Sequence, residues 1–308
     1  MIVLGRKYKF TELEKQRLNK KFKKQIVIKY TQRDPNEVLN EIKTLVEQTN
    51  ITLIVLNTRA TVPDEIIKYF TSLRFERNIT LITIEQFVEK YLHKCYIPED
   101  HTDLNYLQNI KPYNIFEYFL KRVLDYSGAI ILGLIAAPVM IYARQRIKKD
   151  SPGTSMFKQL RVGQNNEEFT CVKFRSMYLD AEANGAQFAS KNDPRVFQWG
   201  DTMRKTRIDE LPQMLNVLRG DMHFIGPRPE RKVWTDKFEL QIPYYAERHL
   251  VKPGITGWAQ VMYPYGANAE DAKQKLMYDL YYIKNWSIIL ELKVIWKTIL
   301  VVVGKKGV

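Results

Sequence analysis

The 308-residue chain is poor in cysteine and histidine, with two of the former and four of the latter. Cys95 and Cys171 form no Cys-x-x-Cys pair and the histidines do not cluster, so neither a disulfide framework nor a zinc site is supported. A reducing compartment follows. The first 24 residues, MIVLGRKYKFTELEKQRLNKKFKK, lack the apolar run of roughly 7–15 residues that marks a signal peptide, which predicts a cytoplasmic N-terminal part. No Gly-x-Gly-x-x-Gly follows the first β-like run; the loop there reads Thr31-Gln-Arg-Asp-Pro35, which argues against a bound dinucleotide. Acidic residues are scarce against basic ones, 34 to 48, for a formal charge of +14. That excess predicts an anionic partner: a membrane leaflet, a nucleic acid or a phosphorylated substrate.

What is present is enough for a core. A hydrophobic content of 45% excludes general disorder, and the length suits about two domains. Residues 25–30 (QIVIKY), 51–57 (ITLIVLN) and 79–84 (ITLITI) are β-branched runs. Between them, residues 35–48 and 63–75 carry helical spacing and helix-start prolines. This βαβαβ order predicts a small parallel sheet with flanking helices, a Rossmann-like α/β module over 25–95 with a regulatory or docking role, preceded by a basic leader over 1–24. Residues 96–117 mix proline, polar and aromatic residues and read as a linker. Residues 118–308 form the second domain.

Residues 126–143 (YSGAIILGLIAAPVMIYA) carry no charge. As a straight helix they would reach only about 27 Å, against roughly 30 Å of hydrocarbon, and Pro138 removes a backbone bond inside them. Lys121 and Arg122 precede the run, and Arg144, Arg146, Lys148 and Lys149 follow it. Positive charge marks the cytoplasmic side, so both ends call for the same face of a membrane. The reading placed first is a re-entrant helix over 121–147, broken at Pro138; a single span comes second and a buried core helix third. Further on, residues 157–177 predict two strands around a turn. Residues 275–303 hold Tyr278, Tyr281, Tyr282, Trp286 and Trp296, which suit either a core or interfacial amphipathic helices at a membrane boundary.

Asp209 and Glu210 lie among Arg204, Arg207 and Arg228. Pro212 is tolerated only in a first helical turn, which puts both acids at a helix start, where backbone donors favour anions. Leu211, Met214, Leu215 and Leu218 would form the apolar face and Gly220 would end the helix. An exposed helix with ordinary salt bridges has the same spacing. The chemical alternative is attack on a pyrophosphate: Asp209 as nucleophile through an acyl-phosphate, Glu210 and Asp209 holding Mg²⁺, and Arg204 and Arg228 bracing the phosphates. Lys173 and Arg175 are either further phosphate ligands or structural ion pairs. His223 and His249 are expected to be structural, and Gly254 and Gly257 to permit a tight loop.

Several motifs stand in order. They are Lys121-Arg122 with Asp125; Asp150-Ser151-Pro152-Gly153; Lys173-Phe174-Arg175-Ser176-Met177; Asp209-Glu210-Leu211-Pro212-Gln213 with Asn216; Gly226-Pro227-Arg228-Pro229; Arg248-His249; Pro253-Gly254-Ile255-Thr256-Gly257-Trp258-Ala259-Gln260; and Asp279 through Asn285-Trp286-Ser287. Over about 190 residues this order resembles the monotopic polyprenyl-phosphate phosphoglycosyltransferases, the bacterial sugar transferases, and their exopolysaccharide-type branch. The resemblance implies an α+β membrane-associated catalytic domain at the cytoplasmic face of the bacterial inner membrane. It implies that Asp209 attacks a UDP-sugar, releases UMP and carries a phosphosugar to polyprenyl phosphate, with Glu210 serving Mg²⁺ and catalysis. Membrane lipids are implied as partners, a homodimer is compatible, and nucleic acid is not expected. Two departures stand out. Ala137-Pro138 replaces the Ser-Pro common at the helix break, and the 262–266 loop lacks the arginine that many relatives carry. A non-catalytic membrane scaffold for glycan assembly is the alternative function.

Overall fold

The computed structural model describes residues 1–99, 110–183, 185, 187, 190, 193–264, 266 and 268–304. The chain forms two compact units, Met1–Tyr96 and Ile97–Val308.

In the first unit, β1 (Ile2–Leu4), α1 (Glu12–Lys21), β2 (Ile26–Ile28), α2 (Pro35–Gln48), β3 (Leu53–Leu56), α3 (Asp64–Glu76), β4 (Thr80–Thr83) and α4 (Ile84–Phe87) follow in order. The sheet is parallel, ordered β2-β1-β3-β4. Its inner strand β1 comes from the segment read above as a basic leader. Ile2 and Leu4 are fully buried, and Thr11 starts α1 through a capping box with Glu14. Three apolar residues are too short a run to show periodicity, so only pairing reveals the strand. Asp34 caps α2 with Pro35 at its first position. Val38, Ile42 and Val46, four apart on one face, join Ile66, Phe70 and Leu73 in the core.

Of the expected 96–117 linker, residues 100–109 lie outside the described residues. Asn114 already caps the next helix in a capping box with Glu117, so α5 spans Ile115–Asp150. Helical structure continues through Pro138, which corrects the expected break there. Proline removes one intrahelical bond and leaves its neighbours' bonds in place, and packing holds the helix on both sides of it. Ala129 and Ala136 sit against Met214, Val217 and Met222; Ala143 and Ile147 sit against Phe174, Phe197 and Met203. Small side chains on this stripe allow close approach. The opposite face carries Ile130, Ile131, Leu134 and Ile135, with Leu134 and Ile135 74% and 71% exposed. A core helix of a soluble protein would bury that face, so the third reading fails.

After α5 come an antiparallel hairpin of β5 (Met156–Val162) and β6 (Glu168–Phe174), α6 (Gln198–Thr206), a 3-10 turn (Ile208–Gln213), α7 (Met214–Arg219), β7 (His223–Ile225) and α8 (Lys232–Glu239). Next come a 3-10 turn (Tyr245–Leu250), β8 (Gly254–Thr256), α9 (Trp258–Met262), α10 (Ala269–Lys284) and α11 (Ile288–Val303). The C-terminal aromatics divide. Tyr278 and Tyr282 are core residues, whereas Trp296 is 63% exposed on α11 beside Ile289, Leu292 and Leu300.

Two sequence expectations are corrected here. Leu215 and Leu218 are exposed, and the buried face of α7 is Met214, Asn216 and Val217. The preceding 3-10 turn winds at three residues per turn, which shifts the helical phase. Lys121 is not a flanking surface charge: it is fully buried and bonded to Asp125 and Glu291, each at 2.9 Å.

Candidate active site

Three elements bring the site together. Gly220, with φ of 91°, ends α7. At the other end Arg207, itself left-handed at φ 62°, turns the chain from α6 into the 3-10 turn that carries Asp209 and Glu210. Asn216 sets this segment against β6: its Oδ1 accepts from the Val172 amide at 3.0 Å and its Nδ2 donates to the Thr170 carbonyl at 2.7 Å. The next strand residue, Lys173, thereby faces Glu210. From the third side comes the Gly226-Pro227-Arg228 turn, which needs glycine. A Cβ on Gly226 would lie 2.7 Å from the Lys252 carbonyl, and one on Gly257 would lie 2.1 Å from the Gly226 carbonyl. Gly254 is equally confined, its Cβ falling 2.0 Å from the Gly226 amide, so the expected tight loop is a crossing of two backbones.

Glu210 is 5% exposed. Its Oε1 accepts from Lys173 Nζ at 3.1 Å and Arg228 Nη2 at 2.9 Å, with Arg207 Nη1 3.6 Å away. Burial alone would raise its pKa, but Arg228, Lys173 and Arg207 overcome that and hold it well below the usual carboxylate range. Glu210 in turn keeps the Arg228 guanidinium charged beyond its ordinary range. Asp209 is the opposite case. Its buried Oδ1 has no hydrogen-bond partner, and burial together with the Glu210 charge pushes its pKa up to about 6. Such an unpaired buried oxygen is costly, and it sits beside three cations of which only one carboxylate is a direct partner. The pair therefore splits into an anchored carboxylate and an unengaged one, a division of roles that catalytic sites use.

Arg204 and Arg175 do not join this cage. Arg204 lies in the last turn of α6 and makes no ion pair among the described residues. Arg175 is buried, with its donors directed to the Thr154, Ser151, Pro152 and Met177 carbonyls and to Ser151 Oγ, so it ties down the 151–154 turn and is not available to phosphate. Arg175→Met is accordingly expected to cost about 3 kcal/mol of stability by stranding those acceptors; thermal unfolding in detergent would show it as a lowered transition.

Arg248 is the residue that sequence reasoning left without a role; Arg207, noted there as one of the arginines flanking the acids, lies 3.6 Å from Glu210 Oε1. Arg248, buried between Tyr245 and Asp279, donates to the Arg228 carbonyl at 2.9 Å and pairs with Asp279 at 2.9 Å. Its adjacency to His249 in the motif was the available signal. His223 and His249 are satisfied structural histidines, bonded at 2.5 Å to Asp125 and Asn166. In the 262–266 loop, where Tyr265 lies outside the described residues, Lys275 Nζ donates to the Gly266 carbonyl at 2.5 Å and Tyr263 donates to Asp271 at 2.9 Å. A lysine from α10 thus braces the loop that has no arginine.

Among the described residues, no three His, Cys, Asp or Glu side chains gather as metal ligands. The unpartnered Asp209 Oδ1 fits a Mg²⁺ ion that takes one or two carboxylates and completes its shell from phosphate and water. Glu210 Oε1, already engaged by cations, fits less well.

Residues 116–305 match the family model for bacterial sugar transferases, and the chain belongs to that family. It is 48% identical over 200 residues to the UDP-N-acetylgalactosamine-undecaprenyl-phosphate N-acetylgalactosaminephosphotransferase of Aeromonas hydrophila, covering 65% of this chain and 47% of that protein. It is 40% identical over 195 residues to the undecaprenyl-phosphate glucose phosphotransferase of Komagataeibacter xylinus, covering 61% and 37%. The undecaprenyl-phosphate galactose phosphotransferase of Salmonella typhimurium is 36% identical over 204 residues, covering 61% and 41%. The chain spans about half the length or less of these relatives.

Proposed function

We propose that the protein transfers a sugar-1-phosphate from a UDP-sugar to undecaprenyl phosphate, releasing UMP and initiating synthesis of a polysaccharide. The observation that carries this reading is the unpartnered Asp209 oxygen beside a cage of Lys173, Arg207 and Arg228. An ionised Asp209 attacks the sugar-bearing phosphorus; the bond to the UMP oxygen breaks, and an acyl-phosphate forms. Undecaprenyl phosphate then attacks that phosphorus and regenerates the carboxylate. Arg228 and Lys173, oriented by Glu210, are placed to neutralise phosphate charge as it moves onto the leaving group, with Arg204 as an outer contact. Mg²⁺ bound at Asp209 Oδ1 would supply further neutralisation of the phosphates. A purely scaffolding protein gains nothing from an unengaged buried carboxylate.

The membrane reading rests on α5 and α11. At 36 residues α5 would be about 54 Å long, and its packed stripe runs from Lys121 to Ile147. A vertical span would drag the folded unit into the hydrocarbon. The apolar faces of α5 and α11 instead support a monotopic seat in the cytoplasmic leaflet.

UMP release tests the reaction directly. The full chain is expected to remain with membranes after a high-salt wash and, once extracted in detergent and given Mg²⁺ and undecaprenyl phosphate, to release UMP from at least one of UDP-N-acetylgalactosamine, UDP-glucose and UDP-galactose. No release from any of the three would reject the reading.

A further inference from the structure

Beneath the apolar helices lies a buried ionic cluster that the reaction does not use. Lys121 of α5 bonds Asp125 and Glu291 of α11; Arg122 lies 3.8 Å from Asp125. The four charges balance, two cationic and two anionic. Lys121, Asp125, Glu291 and His223 are at most 3% exposed. Replacing a buried ion cluster by apolar side chains is often neutral or stabilising, so its presence here calls for a role other than stability.

Arg122 donates to the Val217 and Met222 carbonyls, and the bonds leaving Asp125 and Glu291 lead, directly or through one further side chain, to one strand. Asp125 Oδ2 meets His223 Nδ1 at 2.5 Å and its Oδ1 accepts from the Phe224 amide at 2.8 Å. Glu291 Oε1 accepts from Trp286 Nε1 at 2.9 Å and from the Tyr282 hydroxyl, which also lies 3.0 Å from the Ile225 carbonyl. His223 and Phe224 of β7 are therefore held directly from α5, and Ile225 lies beside the α10 hydroxyl that bonds Glu291 of α11. Three residues beyond Ile225 is Arg228, bonded to Glu210 at 2.9 Å.

We propose that the Lys121–Asp125–Glu291 cluster is a positioning device, which fixes Arg228 against Glu210 only when both apolar helices are docked on β7. Lys121, Asp125 and Glu291 are buried and act through β7. Hydrophobic contacts slide, whereas a charge pair with several directional bonds has one register. Seating of the membrane-facing helices is thereby coupled to the geometry of the cation cage. This deepens the reading of the site given above.

The test uses the full chain in detergent and two independent readouts. Glu291→Gln keeps the size and shape but removes the charge facing Lys121 and leaves one acceptor oxygen where the carboxylate uses two. Amide hydrogen exchange across residues 223–228 is expected to rise about tenfold, with the exchange of α7 unchanged. UMP release is expected to fall about tenfold in kcat with little change in KM for the UDP-sugar that wild type uses. In an Arg228→Ala background, adding Glu291→Gln is expected to cost no more than about twofold, because both changes remove the same positioned cation. Restoration of the charge by Glu291→Asp should recover part of the kcat. Unchanged exchange at 223–228, or a full additive loss on top of Arg228→Ala, would overturn the proposal. If wild type releases no UMP the reaction reading fails, and the exchange measurement alone decides the positioning role.

Discussion

Asp209→Asn is expected to lower UMP release by about 10⁴-fold or more, because an amide cannot form the acyl-phosphate. The cage should survive this change, since Glu210 and not Asp209 bonds Lys173 and Arg228. Stability is expected to stay level or rise. The folded-state pKa of Asp209 is raised from 3.8 to about 6, so its ionised form is penalised by folding. Below the ordinary value the carboxyl is protonated in both folded and unfolded chains and the penalty is absent; above about 6 it is present in full. Asn carries no such penalty at neutral pH. The checks are UMP release, recovery of a phosphosugar adduct on Asp209 in wild type given UDP-sugar alone, and thermal unfolding at neutral and acidic pH. Turnover intact in Asp209→Asn would remove the covalent step.

Glu210→Gln is expected to reduce kcat by about 10²-fold while altering the pH profile in a defined direction. Two effects act together. Lys173, Arg207 and Arg228 lose their buried counter-charge, so the orientation of these cations loosens. The negative charge that helps hold Asp209 up is also removed, leaving burial opposed by three cations, and the Asp209 pKa should fall. In wild type, activity is expected to need ionised Asp209 and to decline as pH falls through about 6; in Glu210→Gln that acid limb should move to lower pH. A limb that stays in place or moves up would show that Glu210 does not set the ionisation of Asp209. The kcat loss without the shift would indicate a purely structural role.

Much of this site was legible from residue types. Asp209 and Glu210 are adjacent, Pro212 forces a helix start nearby, and Gly220 ends the helix that follows. Lys173 and Arg228 were identifiable as candidates because cations recur in the motifs. Their separation from Arg175 and Arg204 was not legible: Lys173 and Arg175 lie on the same face of a strand by spacing. Only the turn of the chain at the end of β6 sends one to Glu210 and the other to the carbonyls of the 151–154 turn. Likewise, β-branched runs and helical spacing revealed β2, α2, β3, α3 and β4, whereas β1 is recognisable only through its two neighbours.

The sequence by itself determined the family, the order β2-α2-β3-α3-β4, the acid pair and the apolar character of α5, because these depend on residue type, spacing and local caps. Tertiary structure decided which charges are exposed and which are paired. It turned Lys121 from a flanking charge into the centre of a buried cluster, and kept α5 helical through Pro138 by packing on both sides. It also gave two adjacent carboxylates opposite environments. Those outcomes depend on burial and on partners distant in the chain, and neither is encoded in any local run of residues.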